Sequence, residues 1–183
     1  MNKREIDSAL IKIAQGDNAA FERLYIETGR GVYSFLFSYF NNRADCEDAM
    51  QTTYLKIKQH IGRYRAGSNG LAWILQIAKN TALNELRSRS NHQKWQAESI
   101  EEETALWENA ATAYDRFETK DALMTIMKRV LDAEEQRIVI LHAVWGYKHK
   151  EIAKIIESPV GTVTSKYKRA ADKLKAAWKE EQR

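Results

Sequence analysis

At 183 residues, with one proline, eight glycines and few alternating β-branched runs, the chain reads as all-α, built as one domain or two small ones. The lone Cys46 excludes a disulfide framework or a cysteine-based zinc site, and no apolar stretch approaches the roughly 20 residues of a membrane span. Lys and Arg number 29 against 25 Asp and Glu, but the net charge of +4 divides into +4 over residues 1–92, −5 over 93–121 and +5 over 122–183, a layout suited to two nucleic-acid-binding modules on an acidic tether.

In chain order, Ile6, Ala9, Leu10, Ile13 and Ala14 share one face of a first helix, which Gly16-Asp17-Asn18 ends while capping the next. Phe21, Leu24 and Tyr25 continue in a second helix. Val32, Phe35, Leu36, Tyr39 and Phe40 form a third stripe, closed by Asn41-Asn42. A fourth helix is expected from Asp45, whose carboxylate would cap it. It buries Ala49, Met50, Tyr54 and Ile57 and leaves Glu47, Asp48, Gln51, Thr52, Lys56 and Lys58 more exposed. A loop rich in Gly, Ser and Arg spans residues 62–70. The spacing of Leu71, Ile74, Leu75, Ala78, Ala82 and Leu86 then predicts a fifth helix over about 71–88.

That fifth helix also carries a polar stripe of Asn80, Asn84 and Arg87, side chains able to hydrogen-bond base edges, with Lys79 and Arg89 placed for phosphates. Tyr64 and Trp73 add aromatic surface beside the basic loop, the combination that holds unstacked bases of single-stranded DNA. Trp73 also falls within the apolar pattern, where a core role competes with base stacking. The connector, from Gln93 to about Phe117, intersperses Trp95, Leu106 and Trp107 among Glu98, Glu101-Glu102-Glu103 and Glu108. It is too apolar for a purely disordered tail.

The last third supplies the sharpest motif. A short helix over Lys150-Glu151-Ile152-Ala153-Lys154-Ile155-Ile156 is followed by a turn and a strongly basic helix, the arrangement of a helix-turn-helix. Ser158 and Pro159 suit the N-cap and first turn of that second helix. Gly161 and Thr162 allow its start to approach DNA closely. Val163, Tyr167, Ala170, Leu174 and Ala177/Trp178 share the packing face, while Lys166, Arg169 and Lys173 lie on another, with Lys168, Lys175 and Lys179 beside it. A lysine-rich helix alone reads as a solvated face; the preceding helix and short turn change that reading. His60, His92, His142 and His149 show no ligand spacing, and no phosphate-cradling glycine loop or His/Asp/Cys constellation is present. No metal, cofactor or catalytic residue is therefore expected. The polar start, Met1 to Asp7, lacks a secretory signal core, so a cytoplasmic protein without membrane insertion is expected.

Three separated segments carry a resemblance. Residues 43–56, Arg43-Ala44-Asp45-Cys46-Glu47-Asp48-Ala49-Met50-Gln51-Thr52-Thr53-Tyr54-Leu55-Lys56, resemble the core-polymerase-binding helix of the extracytoplasmic-function (group IV) bacterial sigma factors of the sigma-70 family. Residues 72–87, from Ala72-Trp73-Ile74 to Glu85-Leu86-Arg87, are similar to their region 2.3–2.4 helix. Glu134-Glu135-Gln136-Arg137, with the helix-turn-helix and Val160-Gly161-Thr162-Val163-x-Ser165, resembles region 4. Glu157 stands where a turn glycine is common, and a positive φ there would cost on the order of 1 kcal/mol.

The resemblance implies two small helical domains, a region 2 bundle over 1–92 and a region 4 helix-turn-helix over 118–183, joined by an acidic linker over 93–117. Region 2 would hold bacterial core RNA polymerase through Asp45, Asp48, Gln51, Thr52, Leu55 and Lys56. It would recognise and open the −10 element with Arg63, Tyr64, Arg65, Asn69, Trp73, Lys79, Asn80, Asn84 and Arg87. Region 4 would read the −35 element with Lys150, Gly161, Thr162, Thr164, Ser165, Lys166, Lys168, Arg169 and Lys173. Promoter DNA and core polymerase are the implied partners, and the family often adds an anti-sigma factor inserted between the domains. The alternative from another class is a one-component helix-turn-helix regulator with an N-terminal helical sensing domain. A helical adaptor with no DNA role would leave the basic faces as solubility features.

Overall fold

The computed structural model describes residues 1–40, 42–95 and 122–181, and among these every regular element is a helix. In the N-terminal body, α1 (Lys3–Ala14) starts with a capping box: the Asn2 side chain accepts from the Arg4 and Glu5 N–H groups, and Glu5 accepts from the Asn2 N–H at 2.7 Å. Asp17 caps α2 (Asn18–Phe37) through the Ala20 N–H.

The second and third expected helices are one. Nothing breaks α2 between Tyr25 and Val32, because Leu24, Thr28, Val32, Phe35 and Leu36 bury one unbroken face. Thr28 belongs to that face by donating to the Leu24 carbonyl at 2.6 Å and sharing a 2.7 Å hydrogen bond with the Tyr54 hydroxyl. The fourth expected helix is α3 (Arg43–His60), and its cap is Asn42, which accepts from the Asp45 N–H at 2.8 Å. Asp45 lies inside the first turn instead. A 3-10 turn (Ile61–Arg63) follows, then α4 (Gly70–Trp95), capped by Asn69 through the Ala72 N–H at 3.1 Å. This helix outruns its expected end near residue 88. From Asn84 to Ser88 it is exposed, so Leu86, 38% exposed, is not the core residue its spacing predicts. Asn41 and the connector from residue 96 to 121 lie outside the described residues.

The C-terminal body holds α5 (Ala122–Val130), α6 (Ala133–Ala143), α7 (His149–Ile156) and α8 (Val160–Glu181). Asp132 and Glu135 form a capping box at the start of α6. α7 and α8 make the expected helix-turn-helix, and Glu157 between them is left-handed, at φ +57° and ψ +48°. Val163, Ala170 and Ala177 of α8 are buried, with Tyr167 and Leu174 half-buried beside them; Trp178 is 48% exposed. Among the described residues the two bodies share one continuous core, joined where α6 and the turn after it meet α2.

Candidate nucleic-acid interface

Three groups of side chains were expected to bind partners, and the fold treats each differently. On α3, Asp48 and Leu55 are exposed, Leu55 at 52%, and Gln51 and Thr52 are half-exposed. Their spacing of three, one and three makes a single helical stripe with an apolar end. Asp45 and Lys56 are turned to intramolecular duties. Asp45 pairs with Arg89 of α4, and that guanidinium, with help from Asn42, holds its carboxyl below the usual range. Lys56 donates to the Thr81 hydroxyl at 3.3 Å.

Around the loop and α4, Arg63, Arg65, Asn80, Asn84 and Arg87 are exposed, and Asn80 accepts from Gln76 at 3.2 Å. The other four candidates are engaged. Tyr64 and Trp73 pack with ring centroids 5.2 Å apart, and the Tyr64 hydroxyl donates to Asp7. Burial and that carboxylate push the Tyr64 hydroxyl up to about 12. The expected base-stacking pair is thus part of the packing that fixes the loop on α1. Asn69 accepts from the α4 backbone and, at 3.5 Å, from the Tyr147 hydroxyl. Lys79 is 12% exposed, donating to the Ile155 carbonyl at 3.2 Å and pairing with Glu157 at 2.8 Å.

On the helix-turn-helix, Lys150, Gly161, Thr164, Ser165, Lys168 and Arg169 are exposed and Thr162 half-exposed. Lys166 and Lys173 depart from the expectation that they join Arg169 on a free face. Lys166 is 19% exposed and pairs with Glu134 at 2.7 Å; Lys173 pairs at 2.7 Å with Glu135, itself 2% exposed. Both lysines staple α8 to α6. The free face therefore runs through Thr164, Ser165, Lys168 and Arg169. His149 Nδ1 and the Thr164 hydroxyl lie 3.1 Å apart, fixing the start of α8 against α7.

The seam between the bodies uses residues that spacing alone did not single out. Trp145 lies against Gly31, Arg137 sits 4.6 Å over the Tyr39 ring, and Lys128 sits 3.7 Å over the Phe37 ring while donating to the Phe40 carbonyl at 2.8 Å. Gly31, placed inside a helix where glycine is unfavourable, was the available signal of a close approach. Among the described residues no group of three or more His, Cys, Asp or Glu is arranged to hold a metal, and no helix is long and apolar enough to cross a membrane.

The Sigma-70 region 2 family model matches residues 24–92, and the Sigma-70, region 4 model matches residues 127–174. The RNA polymerase sigma-H factor of Pseudomonas aeruginosa is 26% identical over 97% of this chain and 96% of its own length. The ECF RNA polymerase sigma-E factor of Escherichia coli is 28% identical over 95% of each chain. In fold, the chain is similar to the sigma factor RpoE of Bartonella quintana, solved in complex with the anti-sigma factor NepR. That match has a TM-score of 0.64 and 21% identity, and covers 87% of this chain and 96% of that one. CnrH, solved with the cytosolic domain of CnrY, gives a TM-score of 0.62 at 18% identity, covering 96% and 98%.

Proposed function

The chain belongs to the extracytoplasmic-function group of the sigma-70 family, and from that premise we propose how its surfaces divide the work of promoter-directed transcription initiation. The chain binds bacterial core RNA polymerase and directs it to promoters. Its polymerase contact is the Asp48, Gln51, Thr52 and Leu55 stripe of α3. Arg63, Arg65, Asn80, Asn84 and Arg87, with Asn69 and Lys79, face the −10 element. Thr164, Ser165, Lys168 and Arg169 enter the major groove at the −35 element, with Lys150, Gly161 and Thr162 along the approach.

The observation that carries this reading is the pairing of two outward polar faces on two bodies of one chain. One is built of amides and arginines on a long helix, the other of hydroxyls and cations on a recognition helix. Amide and guanidinium groups suit base edges, and cations suit phosphates. Opening the −10 duplex needs no hydrolytic residue, since contacts to unpaired bases offset the few kcal/mol of unstacking. Tyr64 and Trp73 support the loop rather than stack directly, so the exposed arginines take the strand. The work is done in the cytoplasm, where core polymerase operates, and an anti-sigma factor that occupies either face would silence the chain.

The test is a pull-down with purified core polymerase followed by run-off transcription on a genomic promoter pool. The expected outcome is holoenzyme formation and transcripts from a restricted promoter set, with a steep salt dependence of promoter binding. Tight duplex binding by the free chain as a dimer, with no polymerase association, would support the one-component regulator instead.

A further inference from the structure

Three aromatic side chains from three helices meet beside the start of the recognition helix. The rings of His142, at the end of α6, and His149, at the start of α7, have centroids 5.2 Å apart. The Tyr167 ring of α8 stands 4.6 Å from the first and 5.0 Å from the second. Both histidines are half-buried. Their spacing along the chain gave no ligand pattern; the turn over residues 144–148 brings the two rings together.

Hydrogen bonding fixes which nitrogen of each ring carries the proton. His142 Nδ1 lies 2.9 Å from the Tyr147 carbonyl, which only accepts, so Nδ1 is the donor. The Thr164 hydroxyl gives its one proton to the Val160 carbonyl at 3.0 Å. Its oxygen, 3.1 Å from His149 Nδ1, therefore accepts, and that ring too is protonated at Nδ1. In both neutral rings the lone pair then sits on Nε2. His149 Nε2 is buried with no hydrogen-bond partner among the described residues, a costly state unless a further group takes its lone pair.

An imidazole that donates Nδ1–H to a carbonyl or hydroxyl and leaves Nε2 free has the orientation proteins give a metal-binding histidine. Two such rings on one tetrahedral ion, at about 2.0–2.1 Å per bond, hold their centroids about 5 Å apart. The observed separation matches that value. We propose that His142 and His149 bind a divalent transition ion of the imidazole-preferring class, such as zinc, through their Nε2 atoms. Solvent completes the coordination, because among the described residues no carboxylate or thiol joins the pair. A bound ion clamps the end of α6 to the start of α7 and, through the His149–Thr164 contact, steadies the start of α8. The site stands whether or not Thr164 reads the −35 element.

Calorimetric titration of the metal-free full chain with zinc chloride tests it. One zinc ion per chain is expected, while magnesium, which prefers oxygen ligands, gives no comparable heat. Zinc should also raise the melting temperature by mass action. His142→Gln and His149→Gln should each weaken zinc binding by at least roughly tenfold, the low end for even an outer-shell partner, and lose the thermal shift. His60→Gln should change neither. Proton–nitrogen correlation spectra of the wild-type imidazoles need no variant: zinc should move both Nε2 resonances and leave both Nδ1 protons in place. Failure of zinc to bind, binding retained in both variants, or spectral changes confined to His60 or His92 overturns the site.

Discussion

Lys173 of α8 reaches back to α6 and sets its ammonium 2.7 Å from the carboxylate of Glu135, a side chain only 2% exposed. Glu135 also accepts from the Asp132 N–H at 3.1 Å, so this one carboxylate closes the N-terminus of α6 and anchors the recognition helix. Lys173→Ala would leave it with a backbone partner alone. Breaking a fully buried pair costs about 3–5 kcal/mol; Lys173 is 45% exposed, and water on that side reduces the expected loss to about 1–2 kcal/mol. Thermal unfolding should show it, at roughly 2–4 °C per kcal/mol for a chain of this size with one continuous core. Arg169→Ala, on the exposed face, should leave the transition where it is.

Arg169→Ala should act on DNA instead. If its guanidinium reads a base, transcription from a promoter with an intact −35 element falls by about 1–3 kcal/mol, roughly 5- to 150-fold. Run-off transcription on that promoter and on −35 variants checks this. A loss equal on every variant would make Arg169 a phosphate contact.

The contrast between Lys173 and Arg169 also shows what spacing can and cannot reveal. Periodicity placed Val163, Tyr167, Ala170 and Leu174 on the packing face of α8, because a helix repeats its own geometry. It could not see Glu134 and Glu135, which belong to another helix and claim two of the lysines. The same limit applies to α2. The two apolar stripes expected as separate helices belong to one, whose buried face runs unbroken from Leu24 to Leu36 through the polar Thr28. Local rules gave the helix-turn-helix and the polar stripe of α4, and the family resemblance singled out Glu157 as the position where a left-handed turn would be strained, as it is at φ +57°. The seam joins residues distant in the chain, Gly31 with Trp145 and Lys79 with Glu157, so only the fold exposes it.

The α3 stripe makes a prediction that separates binding from folding. Leu55 is 52% exposed beside Asp48 and Gln51, so Leu55→Ala gives up little of the core. Burying a leucine fully is worth about 1.5–3 kcal/mol, and covering the exposed half by polymerase about 1 kcal/mol. Competition for limiting core polymerase should show roughly fivefold weaker assembly, with thermal unfolding unchanged. Combined with Asp48→Ala and Gln51→Ala, the loss should deepen. Normal assembly by the triple variant would remove α3 from the polymerase contact.

Asp45 is expected to serve stability rather than the polymerase, and its charge state gives the sign. Its carboxyl is held below the usual range chiefly by the Arg89 hydrogen bond, and Asn42 donates to it at 2.6 Å. A group whose value is lower folded than unfolded contributes stability above its unfolded value, about 3.9 for Asp, and loses it as pH falls through the folded value. The contribution should therefore be flat from pH 5 to 8 and fade below about pH 4. Arg89 is 41% exposed, so after solvent screening it amounts to about 1 kcal/mol. Urea unfolding of wild type and Asp45→Asn at pH 7 and pH 3 measures it directly. The gap between the two proteins should be present at pH 7 and shrink at pH 3, because protonation makes the wild-type carboxyl as neutral as the amide. An equal gap at both values would mean that Asp45 acts through shape and neutral hydrogen bonding, not through the ion pair that ties α3 to α4.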